Sequence, residues 1–460
     1  MTVRPRWIYF AYFAFRATSI GRFMSVFYLD RGLKASEMGA LFSLDAIVGT
    51  FSTTYFSARV DRQLAEGMLL ARERAMRLAF AVTTLLFCVQ AVVDLGLPVP
   101  PFAVFVACRL LIAIVFSPVS SILNAHTLAS LGGDRARFGE ERLWGAISWA
   151  IANMILGVVM DHLGTWVMYI GTVVLGGCAV VLLSGSSGAR KHQPLPDAAP
   201  GTEQDATPTD SKRPRGAANI SSGQLLKAYM TNPQSRSFFF AVFCLGVGMS
   251  LVENLLFLFF VEDMGASNAL CGFSVVVTVA FEIPLLSHSK SLLERFGCRL
   301  LFSIGLVCYI VRVLGYTICP NGWCVVAFEP LHGVTFACCH LAAVQYVSSI
   351  TPEEQLTTGQ GVMCSIQQGL GYFVGTLGGG FVIQLFGEKV LYRGAASLVT
   401  LGLLVFRLQG METPLVLEKR PAEVVEGEAS VAIGKEASGR LEEDDTELAD
   451  AVVPALGLAR

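Results

Sequence analysis

The most conspicuous shortage in these 460 residues is charge: Asp, Glu, Lys and Arg together make up 15% of the chain, against 53% hydrophobic residues and a mean hydropathy of +0.57. A soluble chain carries about 25% charge and could not hide this much apolar surface. Basic excess is missing too, since the net charge is −2, so no electrostatic footprint for nucleic acid exists. The 12 cysteines form no CxxC and no Cys/His metal spacing, which excludes a zinc module and a secreted disulfide framework. Cys319 and Cys324 flank a short turn, CPNGWC, and could pair on an oxidising side; free buried thiols are the expectation. No signal peptide is expected, because the first apolar run is long and lacks a small-residue cleavage site.

What the chain has instead is long apolar runs. A bilayer core needs about 20 apolar residues per helix. Six stretches qualify in the first half: Trp7–Leu29, Met38–Ala58, Ala75–Leu95, Phe102–Leu123, Leu143–Leu163 and Trp166–Leu183. Six more follow: Phe238–Val261, Ala269–His288, Leu300–Ile318, Trp323–Ile350, Gly361–Phe386 and Val390–Leu408. The expected fold is an all-α membrane protein with twelve transmembrane helices in two six-helix bundles. Residues 1–185 form the first bundle and 236–409 the second. Residues 186–235, rich in Pro, Ser, Asp and Lys, read as a disordered cytoplasmic linker, and 410–460 as an acidic disordered cytoplasmic tail.

Orientation follows from the positive-inside rule. The segment SARVDRQLAEGMLLARERAMR carries five basic residues, whereas the loops near Leu97, His162 and Pro320 carry none. Both termini are therefore expected in the cytoplasm; which membrane holds the protein is not written in the sequence. The halves also echo each other, with Asp61-Arg62 after the second helix and Glu294-Arg295 after the eighth. Both are acid–Arg pairs at the same turn of their half.

Ten ionisable residues fall within the apolar stretches: Arg16, Arg22, Asp45, Arg109, Glu253, Glu282, Arg312, Glu329, His332 and His340. At a helix centre each charge costs about 2.5–3.5 kcal/mol, so each needs a partner or a watery cavity. Arg109 reads as a packing ion pair. Arg142 and Trp149, seven residues apart, share one helix face; a guanidinium and an indole suit a polyol. Glu329 and His332 stand at i,i+3 beside Pro330, and Arg312 on the preceding helix could complete an Arg–Glu–His network able to exchange a proton. His332 and His340 have no third ligand, so no metal site is expected. In the eleventh stretch, Gly371, Gly375 and Gly379 form a small-residue stripe suited to helix packing.

The pattern Phe138-Gly139-x-x-Arg142-x-x-Gly145-x-x-x-Trp149, with Arg312 and His332, resembles the oligosaccharide/proton symporter (lactose permease-like) branch of the major facilitator superfamily. LVENLLFLFFVEDMGAS, EIPLLSHSKSLLERFG and FEPLHGVTFA look most like the orphan group of major facilitator superfamily domain-containing protein 6-like proteins. The resemblance implies that Arg142 and Trp149 bind solute, that Arg312 and His332 belong to a coupling set, and that the acid–Arg pairs gate. Two positions depart from it. Asn124 replaces a substrate-pairing carboxylate and Thr335 a proton-carrying one, so galactoside specificity is not inherited. The expected function is alternating-access transport of a small polar organic solute, sugar- or nucleoside-like. Substrate binding falls to Arg142, Trp149 and Asn124; proton coupling, where present, falls to Glu329, His332, Arg312, Glu282 and Glu253. An uncoupled facilitator, or a non-transporting receptor on a transporter fold, stands as the alternative. No enzyme activity, organic cofactor or nucleic-acid partner is expected, the partners being solute and lipid; oligomeric state is left open.

Overall fold

The computed structural model describes residues 4–96, 100–131, 135–190, 222–351 and 355–409. Among the described residues every regular element is a helix. The first span is divided into α1 (Pro5–Ser19) and α2 (Met24–Leu29), followed by α3 (Ala35–Ala65) and α4 (Ala71–Val89) with a 3-10 extension, Gln90–Val93. The fourth span bends at Pro118 into α5 (Pro101–Phe116) and α6 (Val119–Ser130); α7 (Arg135–Leu163) and α8 (Val167–Arg190) complete the first half. A short α9 (Ser222–Thr231) precedes α10 (Pro233–Glu262), α11 (Asn268–Ser287) and α12 (Ser289–Ile318). The tenth span is α13 (Gly322–Ala327) and α14 (Pro330–Ile350), and the eleventh is α15 (Leu356–Cys364), a π-helical turn (Ser365–Gly371) and α16 (Tyr372–Phe386). The twelfth is α17 (Glu388–Leu408).

Ten of these spans are by length and composition able to cross a bilayer unaided. The other two are the first, cut at residues 20–23, and α3, whose apolar face is diluted by Asp45 and a run of Ser and Thr. Both line the interior, where polar side chains find partners. Outward faces are aliphatic: Leu85, Val181, Leu385, Leu404 and Leu408 are all more than half exposed on the perimeter, as lipid contact requires. By contrast α10 is buried on nearly every face.

The acid–Arg pairs lie in helices, not in loops. Asp61 and Arg62 sit in the last turns of α3, with Asp61 3.5 Å from Arg72 of α4. Glu294 and Arg295 precede Gly297, whose φ of 66° and ψ of 164° break α12; a side chain there would be strained. Both ends of the expected linker are helical. Helix occupies residues 186–190 and resumes at 222, and 191–221 lie outside the described residues, as does the expected tail at 410–460. α9 forms because Leu225 and Tyr229 share an apolar face: Tyr229 stacks on Phe239 at 4.9 Å and its hydroxyl meets Thr351 at 2.6 Å. Burial pushes the Tyr229 hydroxyl pKa up, against the pull of that hydrogen bond.

The expectation of free thiols at Cys319 and Cys324 is overturned: the two form a disulfide across the α12–α13 turn, with Cα atoms 5.4 Å apart. Asn321 caps α13 inside that turn and draws the chain round tightly enough to bring the sulfurs together. This turn lies at the end of the molecule opposite the basic α3–α4 connection.

Close packing between the first six spans and the last six runs along α3 with α16, α7 with α11, and α2 with α10. Glycine makes the first two possible. A Cβ on Gly39 would strike the backbone of Thr376 and Gly380, and one on Gly157 or Gly272 would strike backbone of α11 or α7. At the end opposite the basic connection, Asp161 of α7 accepts the first amides of α11, Asn268 N at 2.7 Å and Ala269 N at 2.8 Å. This carboxylate satisfies orphan N–H groups and faces the positive end of the helix dipole. Phe23 of the first span packs on Phe257 of α10 at 4.8 Å. No comparable packing joins α6 to α14 or α15 among the described residues, so the space between the halves is sealed at the disulfide end and opens at the basic end. The glycine stripe packs as expected, Gly371, Gly375 and Gly379 lying against α10.

Gly39→Leu is expected to prevent closure of the sealed end, because backbone cannot yield as a side chain can; overpacking of this kind costs about 1–3 kcal/mol. Asp161→Ala is expected to loosen the same end. Both should raise the reaction rate of a cysteine placed at Ser36 with a water-soluble maleimide; unchanged labelling in both variants would refute the seal.

Candidate functional site

A guanidinium is charged at every physiological pH, so the arginines fix where the interior must be polar. Arg109 of α5 is 2% exposed and bonds the Asp45 carboxylate of α3, the packing pair expected of it. This leaves Arg16, Arg22, Arg142 and Arg312 to be answered.

Arg16 projects from α1 over the Trp149 ring of α7, 5.8 Å from its centroid, and Phe13 packs edge-on to the same indole at 6.4 Å. Trp149 therefore packs against the first span. Arg142 is exposed near the start of α7 and lies within electrostatic reach of Glu282 on α11, His340 on α14 and Tyr9 on α1. Asn124, third of the expected solute set, accepts the Tyr9 hydroxyl at 2.7 Å. Tyr9 thus bonds Asn124 and lies within electrostatic reach of Arg142.

The opposite wall carries Glu253 on α10, Glu282 on α11 and Tyr372 on α16, the first two half-buried. Glu282 is within electrostatic reach of Arg142, Glu253 and Arg22. Tyr372 neighbours Glu253, Arg16 and Arg22. None of Arg16, Arg22, Arg142, Glu253 or Glu282 makes an ion pair within 4.0 Å among the described residues.

The expected Arg–Glu–His network is rearranged. Arg312 bonds His332 Nδ1 directly, and Arg22 reaches His332 Nε2 at 3.2 Å from the other half of the molecule. The Glu329 carboxylate bonds neither; it accepts Thr278 Oγ1 at 2.9 Å and the Tyr316 hydroxyl. The cause is local. Glu329 is the cap residue before Pro330 at the α13–α14 break, so its side chain leaves the helix toward α11 and α12, whereas His332 one turn on faces the first span. Glu329 and His332 are at most 3% exposed, deeper than the half-buried Glu253 and Glu282.

Sequence reading counted Arg16 and Arg22 among the buried charges without assigning them to the site, and did not single out Tyr9, Tyr372, Thr278, Tyr316 or Asp161. The signal available for the arginines was their position on either side of Gly21 in an otherwise apolar run; a divided helix leaves unpaired polar groups that suit a cavity wall.

The model of the MFS_1-like family matches residues 3–394. The chain belongs to this family. It resembles transporters of the major facilitator superfamily over most of its length. The maltose permease of Geobacillus stearothermophilus is 23% identical over 411 residues, 88% of this chain and 94% of the permease. The major facilitator superfamily domain-containing protein 6-like protein of Mus musculus is 28% identical over 170 residues, 36% of this chain and 28% of that protein. Among solved structures, the nucleoside transporter NupG superposes with a TM-score of 0.66 at 16% identity, covering 89% of this chain and 98% of NupG. A membrane-transporter family and a twelve-helix major facilitator fold follow, and an enzyme does not.

The Asp45–Arg109 pair gives a direct test of the electrostatics. Asp45→Asn leaves Arg109 uncompensated and is expected to cost about 3–5 kcal/mol. Adding Arg109→Gln should recover most of that loss. Thermal melts of the purified single and double variants measure both effects; a double variant no better than the single would show that the pair is not a closed electrostatic unit.

Proposed function

We propose that this MFS_1-like transporter moves a small polar organic solute, sugar- or nucleoside-like, by alternating access. The observation that carries the reading is the set of unpaired charges facing one another across the halves: Arg16 and Arg142 with Trp149 and Asn124 on one wall, Glu253 and Glu282 on the other. A solute with several hydroxyl and amide groups can bridge such a set, accepting from guanidinium and donating to carboxylate. A ring stacked on Trp149 would fix its orientation. The space opens at the basic end and is sealed at the other, one of the two states that alternating access requires.

Proton coupling in this reading runs through Glu282 and Glu253, which line the cavity, while Glu329, His332 and Arg312 form a buried support behind them. A carboxylate at a cavity wall can take a proton from water and release it when the solute leaves; Glu329, held by two hydroxyls, lacks that access. Asn124 and Thr335 carry no proton, and Thr335 donates to the backbone oxygen of Leu331.

Uptake into proteoliposomes across a panel of sugars and nucleosides, with and without a pH gradient, tests the proposal. Saturable flux is expected, with accumulation driven by the gradient and reduced at least tenfold by Glu282→Gln, while solute exchange at equal pH persists. Flux indifferent to the gradient would leave an uncoupled facilitator. Absence of flux for every solute would favour the receptor alternative.

The reading also places both termini on the cytoplasmic side. The five basic residues of the α3–α4 region support this, as does the Cys319–Cys324 disulfide at the opposite end, since disulfides persist on oxidising faces. Reduction of intact cells should expose two further thiols to an impermeant maleimide. Labelling that requires permeabilised cells would reverse the orientation.

A further inference from the structure

We infer that the transported solute carries a negative charge, a single carboxylate, and that Arg16 and Arg22 receive it. The inference rests on the transport reading for its cavity and goes further in naming the solute class. Apart from the Asp45–Arg109 pair, four guanidiniums stand in or beside the cavity: Arg22 and Arg312 buried, Arg16 half-buried and Arg142 exposed. Three carboxylates face them, Glu253, Glu282 and Glu329. Glu282 stands opposite Arg142, and Glu329 lies in the same tyrosine-lined pocket as Arg312, both being close to Tyr316. Arg16 and Arg22 have Glu253, Asp45 and Glu282 within electrostatic reach between them, but neither forms an ion pair within 4.0 Å among the described residues. A guanidinium with no carboxylate in contact is poorly compensated in such surroundings.

Hydrogen-bonding capacity points to the same place. His332 receives Arg22 at one ring nitrogen and Arg312 at the other. A neutral imidazole has one acceptor nitrogen, so it cannot satisfy both. Arg22 is 8% exposed and its Nη1 has no partner among the described residues. Arg16 makes no hydrogen bond from its side chain among the described residues and lies over the Trp149 face, whose attraction for a cation is weak beside that of a carboxylate in contact. The two arginines flank the break between α1 and α2, and Tyr372 lies near both. Two guanidiniums with free donors beside an indole wall form a receptor for a carboxylate attached to a ring.

Matched acid and neutral ligands test this on the purified full-length protein: D-glucuronate against D-glucose, and orotidine against uridine, with binding measured by thermal shift and calorimetry. In at least one pair the acid is expected to bind tenfold or more tighter than its neutral counterpart. Arg16→Gln and Arg22→Gln should each bring that ratio close to one, and Arg16→Lys, which keeps the charge, should retain a preference and shows that loss is not misfolding. Neutral members binding as tightly as their acids, neither acid binding at all, or a preference that survives both Gln variants would overturn the inference. The transport reading fails separately: an acid preference in binding with no flux in proteoliposomes would remove transport and leave the receptor for the carboxylate intact.

Discussion

Hydrocarbon gives a charged side chain nothing to bond to, and that single constraint orders the interior of this protein. The charges buried among the spans are either held by partners of their own half or turned toward the space between the halves. Asp45 and Arg109 close on each other; Glu329 is held by Thr278 and Tyr316. What cannot be closed inside one half, namely Arg16, Arg22, Arg142, Glu253 and Glu282, faces the other half. A cavity is the cheapest place for such residues, because water or solute supplies the missing bonds while the perimeter remains aliphatic.

Breaks in the helices decide where these side chains point. The first span is interrupted at residues 20–23, so Arg16 and Arg22 leave it at different angles and serve different neighbours, an indole and an imidazole. Proline interrupts the fourth span of each half, at Pro118 and at Pro330. In the second case the break separates Glu329 from His332 although they are i,i+3 neighbours. Uninterrupted helices would have placed that pair on one face; the bend sends the acid into its own half and the imidazole across to the other.

Much of this was legible in the sequence, and the reasons are physical. Twelve apolar stretches stand out because the bilayer imposes a length and a composition on each, and the match to the MFS_1-like family over residues 3–394 agrees with that plan. Arg142 and Trp149 could be named from their spacing and types, and Asn124 from the resemblance; their role stands on the proposal above. The partners of Glu329 could not be named, since Thr278 and Tyr316 come from two other helices and hydroxyl residues are common. Helical Asp61 and Glu294 were read as loop residues because charge marks the end of a membrane span, and helices do not stop where hydrocarbon does. The Cys319–Cys324 disulfide was missed because spacing alone does not distinguish a turn that brings two sulfurs together from one that does not; Asn321 capping α13 settles that locally.

Arg22 holds a position no other charged residue shares. Its guanidinium touches His332 of the second half near the sealed end, while the same side chain lies within electrostatic reach of Glu282 and Tyr372 on the cavity wall. A ligand shifts a conformational equilibrium only by binding its two states differently. A group that binds solute within one half alone gives little such difference, since that half moves as a body. A group whose other bond crosses the interface gives a large one, because opening the sealed end must break Arg22–His332 whether or not the cavity is filled. An anion bound at Arg22 competes for the same guanidinium donors and lowers the cost of breaking that bond. Charge recognition and the opening of the far end would then draw on one side chain, and the Arg16–Arg22 receptor would be placed on the first span for that reason.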